Sequence, residues 1–128
     1  MNQPQSVLIV DRSEETREVL ATVLSRRGVR TLAAAGAPQG LRMARQHRPD
    51  LIVLDLELVE AAGAGLSEGF VEQSRTDRAP LVLLGTVRRS DPPLPEGEFV
   101  SKPYHYAPLI RKIEELLLRR APAQAEVA

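Results

Sequence analysis

Three short apolar runs punctuate the chain: Val7-Leu8-Ile9-Val10, Leu51-Ile52-Val53-Leu54 and Leu81-Val82-Leu83-Leu84. None contains a polar position, so their periodicity is silent and length and flanks must decide. A run this short, set beside proline or charge and rich in valine and isoleucine, predicts a strand covered on both faces. Pro49 stands ahead of the second run and Pro80 ahead of the third, while Asp11 and Asp55 close the first two.

Between the runs the spacing turns helical. Val19, Leu20, Val23 and Leu24 predict a first helix, opened by Ser13 with Glu14 and Glu15 in its first turn and closed at Gly28. Leu41, Met43, Ala44 and His47 predict a second, entered through Gly36-Ala37-Pro38, with Gly40 an unfavourable residue in its first turn. Beyond Asp55 the chain turns small and flexible at Ala61-Ala62-Gly63-Ala64-Gly65. Leu66, Phe70 and Val71 then mark a short third helix ending near Asp77. Leu109, Ile110, Ile113, Leu116 and Leu117 form the apolar stripe of a final helix beginning at Ala107.

Residues 29–35 predict a weaker strand, and Phe99-Val100-Ser101-Lys102 a short last one stopped by Pro103. Between them, residues 86–98 carry Pro92, Pro93, Pro95 and Gly97, so the helix due there is expected to be reduced or absent. Residues 1–120 are expected to form one domain, with 121–128 a disordered tail. Alternating strands and helices imply a five-stranded parallel sheet, doubly wound, with right-handed crossovers and helices on both faces. Ligands of such sheets bind at the carboxyl edge. That edge collects Asp11, Asp55, Gly85-Thr86 and Lys102.

Composition narrows the classes. Seventeen basic residues balance seventeen acidic ones over 128 residues, which gives no electrostatic reason to expect nucleic acid or an anionic membrane. The absence of cysteine excludes disulfides and thiolate metal sites. No apolar run approaches the roughly 20 residues of a membrane span, and the start has neither the basic flank nor the apolar core of a signal peptide. A cytoplasmic domain is expected. An enzyme is not: there is no glycine-rich phosphate loop opening a helix and no serine nucleophile elbow. Two tyrosines and two phenylalanines are few for stacking a flavin.

Taken in order, Val7-Leu8-Ile9-Val10-Asp11, Pro49-Asp50-Leu51-Ile52-Val53-Leu54-Asp55, Gly63, Pro80-Leu81-Val82-Leu83-Leu84 and Phe99-Val100-Ser101-Lys102-Pro103-Tyr104 resemble the receiver domains of two-component response regulators. The resemblance runs from residue 6 to about 120. It implies the flavodoxin-like strand order 2-1-3-4-5 and a phosphorelay function in signal transduction. Asp55 matches the phospho-acceptor, served by a histidine kinase, a phosphotransfer protein or a small phosphodonor, and Lys102 matches the lysine that balances phosphoryl charge. Mg²⁺ would be held by Asp11, Asp55 and the backbone carbonyl of Glu57, with Thr86 and Phe99 as the phosphate-sensing pair.

The sequence departs from the family pattern in several places. Arg12 replaces the acid that usually contacts the metal, and Gly85 falls at the hydroxyl position, one residue before Thr86. Val59 stands where a proline is usual and Ala62 where an acid is. Arg12 is expected to pair with Asp55 or Glu57 and partly stand in for Mg²⁺, an attraction of roughly 4 kcal/mol at about 4 Å and an effective dielectric near 20, before desolvation. Two readings follow. One is a single-domain receiver-like protein with Asp55 phosphorylated, acting on an unknown downstream protein through protein contacts. The alternative is a phosphorylation-independent pseudo-receiver serving as an interaction or dimerisation module, a homodimer included.

Overall fold

Each apolar run is the body of a strand, and each strand delivers one residue to a common edge. A computed structural model describes residues 3–86 and 97–125. Strands β1 (Ser6–Val10), β2 (Arg30–Ala34), β3 (Leu51–Asp55), β4 (Leu81–Gly85) and β5 (Gly97–Ser101) pair in parallel in the order β2-β1-β3-β4-β5. The register is tight at the carboxyl edge. Val10 lies opposite both Ala34 and Leu54, Asp55 opposite Leu84, and Gly85 opposite Ser101.

Side chains alternate between the two faces of a strand, so each apolar run feeds two separate cores. Val7, Ile9, Leu51, Val53, Val82 and Leu84 pack under helices α1 (Glu14–Arg26) and α5 (Tyr106–Ala125), where they meet Leu20, Leu24, Leu109 and Ile113. Leu8, Val10, Ile52, Leu54, Leu81 and Leu83 pack under α2 (Ala37–His47), α3 (Leu56–Ala62) and α4 (Ala64–Asp77), against Leu41, Ala44, Val59 and Phe70. Each such side chain contributes about 1.5–3 kcal/mol by burial, which makes this doubly covered sheet a stiff base for its edge.

Gly40, unfavourable by helix propensity, has a packing reason. A Cβ there would lie 2.7 and 2.9 Å from the two methyls of Val10, so glycine is what lets α2 approach β1. Ser13 caps α1 through a bond from the Thr16 amide, and Gly28 takes a positive φ of 85° just beyond the helix end. At the opposite edge of the sheet, Arg120 donates to Asp50 Oδ1 at 2.6 Å and to the carbonyls of Asp77 and Arg78. Asp50 Oδ2 in turn accepts the Ser6 amide, tying α5 to the starts of β1 and β3.

The chain does not turn flexible after Asp55 as the run of alanine and glycine suggested. Helix α3 begins at the next residue, because Asp55 itself caps it, accepting the Glu57 amide at 3.1 Å. Leu56 and Val59, three apart, turn its apolar side toward the core, and Val59 is fully buried. Gly63, with φ of 111°, separates α3 from α4, which begins two residues before the expected Leu66 and runs to Asp77. β5 starts earlier than expected and ends at Ser101, leaving Lys102 just beyond it, followed by a cis bond to Pro103. α5 continues to Ala125, into the stretch expected to be a tail. The reduced or absent fourth helix falls on residues 87–96, outside those described.

Candidate functional site at the carboxyl edge of the sheet

The backbone around the first acid is held from several sides. The Asp11 amide donates to Ala34 O at 3.1 Å, tying the end of β1 to that of β2. Its carboxylate Oδ1 accepts the Ser13 amide at 2.8 Å. Arg17, one turn into α1, donates to the carbonyls of Asp11 and Arg12 at 2.8 and 3.1 Å. The turn from residue 11 to 13 is thereby fixed, and the Asp11 side chain is fixed within it.

Asp55 arrives on the central strand and Lys102 from the edge strand. The Lys102 amide donates to Gly85 O at 2.8 Å, which sets the lysine beside the end of β4. Its ammonium reaches Asp55 Oδ1 at 3.0 Å and Glu57 Oε1 at 3.5 Å. Asp11 and Asp55 are each 3% exposed, yet both open onto one cleft of about 510 Å³. Arg12, Ser13, Thr16, Lys102, Pro103, Tyr104 and Tyr106 line the rest of it. Thr16 Oγ1 and Tyr106 OH share a hydrogen bond at 3.3 Å, and Tyr104 and Tyr106 pack edge to face with ring centres 5.9 Å apart.

The electrostatics follow from the burial. Loss of hydration pushes the Asp11 carboxyl above its ordinary value; the Ser13 amide opposes this, the negative charge of Asp55 adds to it, and Lys102 and Arg17 pull it back in part. For Lys102, burial alone would lower the ammonium's value. The hydrogen bond and charge of Asp55, with the charges of Glu57 and Asp11, outweigh that, and the lysine is held above its ordinary value and stays charged. Asp55 Oδ1 is occupied by Lys102 and Glu57, whereas Oδ2 has no hydrogen-bond partner among the described residues.

The three residues that sequence placed at this edge, Asp11, Asp55 and Lys102, do converge on one cleft. Others are placed differently. Arg12 pairs with neither Asp55 nor Glu57: its side chain is exposed and makes no ion pair among the described residues, and Lys102 takes both acids. Lys102 is set beside the end of β4 by its amide bond to Gly85 O, and from there its ammonium takes the place between the two acids. Glu57 lies in the first turn of α3, its amide on Asp55 Oδ1 and its carboxylate 3.5 Å from the Lys102 ammonium. Thr86 is exposed one residue past β4 and does not line the cleft. Phe99 is 47% exposed, its ring edge near Gly85.

A Cβ at Gly85 would sit 3.2 Å from Leu56 Cβ and Cδ1 and 3.6 Å from Phe99 Cε1, so the place of a hydroxyl side chain has closed around hydrogen. His47 and His105 are exposed. Sequence reading passed over Thr16 and Arg17. Thr16 was legible one helical turn ahead of Leu20, on the face of α1 that meets the sheet.

A doubly wound parallel sheet in this order, with two buried acids and a lysine at its carboxyl edge, defines a receiver domain. The chain belongs to the response regulator receiver domain family, whose model matches residues 7–95. The fold and family together make it a receiver of two-component signalling. The transcriptional regulatory protein AfsQ1 of Streptomyces coelicolor is 33% identical over 120 residues, covering 89% of this chain and 52% of that protein. The polar-differentiation response regulator DivK of Brucella anthropi is 24% identical over 119 residues, covering 89% of this chain and 97% of its own. The chain thus spans about half the length of AfsQ1 and nearly all of DivK. Among solved structures, a CheY-like response regulator receiver domain protein from Methanospirillum hungatei superposes with a TM-score of 0.78 at 17% identity, covering 94% of this chain and 98% of its own. The receiver-modulated diguanylate cyclase from Pelobacter carbinolicus gives 0.75 at 20% identity, covering 94% and 98%. At such identities these two show the fold.

The family implies Mg²⁺ at this edge, and the residues present fit it in a reduced form. Asp11 and Asp55 each keep one carboxylate oxygen without a partner among the described residues, and burial together with the Asp55 charge raises the Asp11 pKa, a penalty that a cation would relieve. One or two carboxylates with water completing the shell is ordinary for Mg²⁺. No group of three or more acids or histidines is gathered for a metal among the described residues. No helix there is long and apolar enough to cross a membrane.

Proposed function

We propose that the chain is a phosphoryl-accepting receiver with Asp55 as its acceptor, working as a signalling protein rather than an enzyme. The observation that carries this is the shared use of Asp55, a residue lining the cleft: Lys102 and the Glu57 amide hold Oδ1, and Oδ2 has no partner among the described residues. In the reaction an Oδ2 lone pair forms the new bond to phosphorus. With acetyl phosphate as donor, acetate leaves with the electron pair of the broken P–O bond. A histidine kinase or phosphotransfer protein is the proposed physiological donor, and a downstream protein contacted by residues 1–120 the proposed target, in the cytoplasm. Asp11 and Asp55 would hold Mg²⁺, which when bound adds positive charge beside the phosphoryl oxygens. Lys102 supplies the fixed cation of the site, and its raised pKa keeps it protonated at neutral pH.

One observation favours the alternative of a phosphorylation-independent interaction module: Leu56 and Phe99 fill the space at Gly85, so no hydroxyl is there to sense a phosphate. Incubation with acetyl phosphate and Mg²⁺, read by intact mass with Asp55→Ala as control, separates the two. A phosphoryl increment absent from the control is expected; an unmodified protein at saturating donor selects the module.

A further inference from the structure

We propose that Arg12 is a phosphoryl-binding residue of this site, closing from the rim onto the group carried by Asp55; the proposal rests on Asp55 accepting phosphate. The cleft holds Asp11 and Asp55 against one paired cation, Lys102, which Glu57 also engages from outside the lining. A phosphoryl group carries up to two negative charges and replaces the single charge of the Asp55 carboxylate, so the cleft becomes more negative and the charge is spread over oxygens that reach further from the strand end. Lys102 is already engaged by two carboxylates, at 3.0 and 3.5 Å. Arg17 is close, but its guanidinium is spent on the carbonyls of Asp11 and Arg12. Of the cations around the cleft, Arg12 alone among the described residues has an exposed side chain without an ion pair.

Its placement suits the task. Arg12 follows Asp11 directly, and its backbone is held by the Arg17 bond and the Asp11 to Ser13 turn, so the side chain starts from a fixed point on the cleft wall. A guanidinium is planar and permanently charged, and its parallel N–H groups match two oxygens of a phosphoryl group. Its exposed side chain makes no ion pair among the described residues, so turning onto a phosphoryl group breaks none there. An acid at this position would serve a metal; an arginine serves the anion instead. The expected consequence is a site that depends less on Mg²⁺ than a pair of adjacent acids would make it.

The test uses the whole chain. Binding of beryllofluoride, a phosphoryl mimic, is followed by NMR shifts in residues around the cleft, and acetyl phosphate labelling by intact mass, each with and without Mg²⁺. Arg12→Ala is expected to weaken beryllofluoride binding and slow labelling by roughly tenfold or more without Mg²⁺, the weight of a lost charge-assisted bidentate contact. The loss should shrink when Mg²⁺ is saturating. Arg12→Lys should recover part of it, keeping charge without the fork, and thermal unfolding of both should match the wild type because the side chain is exposed. If wild type is labelled and Arg12→Ala is labelled and bound equally well under both conditions, the role of Arg12 is refuted while the acceptor stands. If wild type takes neither label nor beryllofluoride, both fall together.

Discussion

Replacing Lys102 with methionine keeps most of the side chain's bulk and removes its charge. At 3.0 Å and an effective dielectric near 20, the Lys102–Asp55 attraction is about 5 kcal/mol before desolvation. Removing one partner of a buried pair typically costs 3–5 kcal/mol, because the other charge is left uncompensated. Here the Asp55 side chain is 4% exposed and that of Lys102 26%, so water screens one partner and the lower end applies. The second pair, to a Glu57 that is 44% exposed, adds little. A loss of about 2–3 kcal/mol at neutral pH is the expected outcome, read by urea unfolding with an unchanged m-value.

The pH dependence supplies the discriminating sign. Lys102 has a raised folded-state pKa, so its stabilisation is complete below the ordinary lysine value and would be lost only as pH rises through the raised one. On the acid side the partners decide. Asp11, whose pKa is raised, loses its charge as pH falls through the window above 3.8, so its share of the difference between wild type and variant should shrink there. Lys102 also lowers the Asp11 pKa, so the variant's Asp11 carboxyl should titrate higher still in an NMR pH series. A variant as stable as wild type at pH 7, with Asp11 titrating unchanged, would refute the claim that Lys102 holds these acids together.

Asp11→Asn should stabilise the protein by about 0.5–2 kcal/mol at neutral pH, the range usual for removing a strained functional charge, since the amide oxygen can still accept the Ser13 N–H. The Asp11 pKa is raised, so the wild-type penalty grows as pH climbs through the window above 3.8; the advantage should vanish in acid, and a variant no more stable at pH 7 would contradict it. Gly85→Thr should cost about 1–2 kcal/mol, roughly 3–8 °C in Tm, because Leu56 Cβ at 3.2 Å belongs to a capped helix start and must yield; an unchanged melting temperature would show spare room. Gly40→Ala gains about 1 kcal/mol of helix propensity but meets both methyls of a fully buried Val10 under 3 Å, so a net loss of about 1–2 kcal/mol is expected in thermal melts.

The parts of this molecule that could be read in the sequence are those where a local pattern has one physical solution. Val7 to Val10, Leu51 to Leu54 and Leu81 to Leu84 had to be buried on both faces, so the parallel sheet and its functional edge followed from them. Ser13 announced α1 because a hydroxyl ahead of two acids is a local signal. Where a residue does two jobs, the reading fell short. Asp55 was legible as the acid at a strand end, but its service as the cap of α3 was masked by the alanine and glycine beyond it. Gly40 reads as a helix defect until Val10 is known to lie against it. Arg12 failed for a different reason: both cations are distant from Asp55 in sequence, Lys102 by 47 residues, and the sequence does not say which of the two reaches it.

The double use of Asp55 also shows where a phosphoryl group would make itself felt. As a carboxylate, Oδ1 receives two charge-assisted bonds, from Lys102 and from the Glu57 amide. Esterified at Oδ2 by phosphate, the same oxygen becomes a neutral carbonyl, and bonds to it fall to about half their strength. Lys102 then has better partners in the phosphoryl oxygens, and Glu57 loses the other end of its ion pair as the lysine turns. What remains at the start of α3 is a weakened cap, of the kind whose loss costs about 0.5–2 kcal/mol. That helix is seven residues long and ends at Gly63, with Val59 its one fully buried anchor. Because Leu56, its first residue, is also what fills the space at Gly85 against Phe99, loosening α3 moves the neighbour that a hydroxyl would otherwise have moved. With Asp55 phosphorylated as proposed, a site without the hydroxyl would still have a mechanical route from the phosphate to the aromatic on β5, through the helix that Asp55 caps.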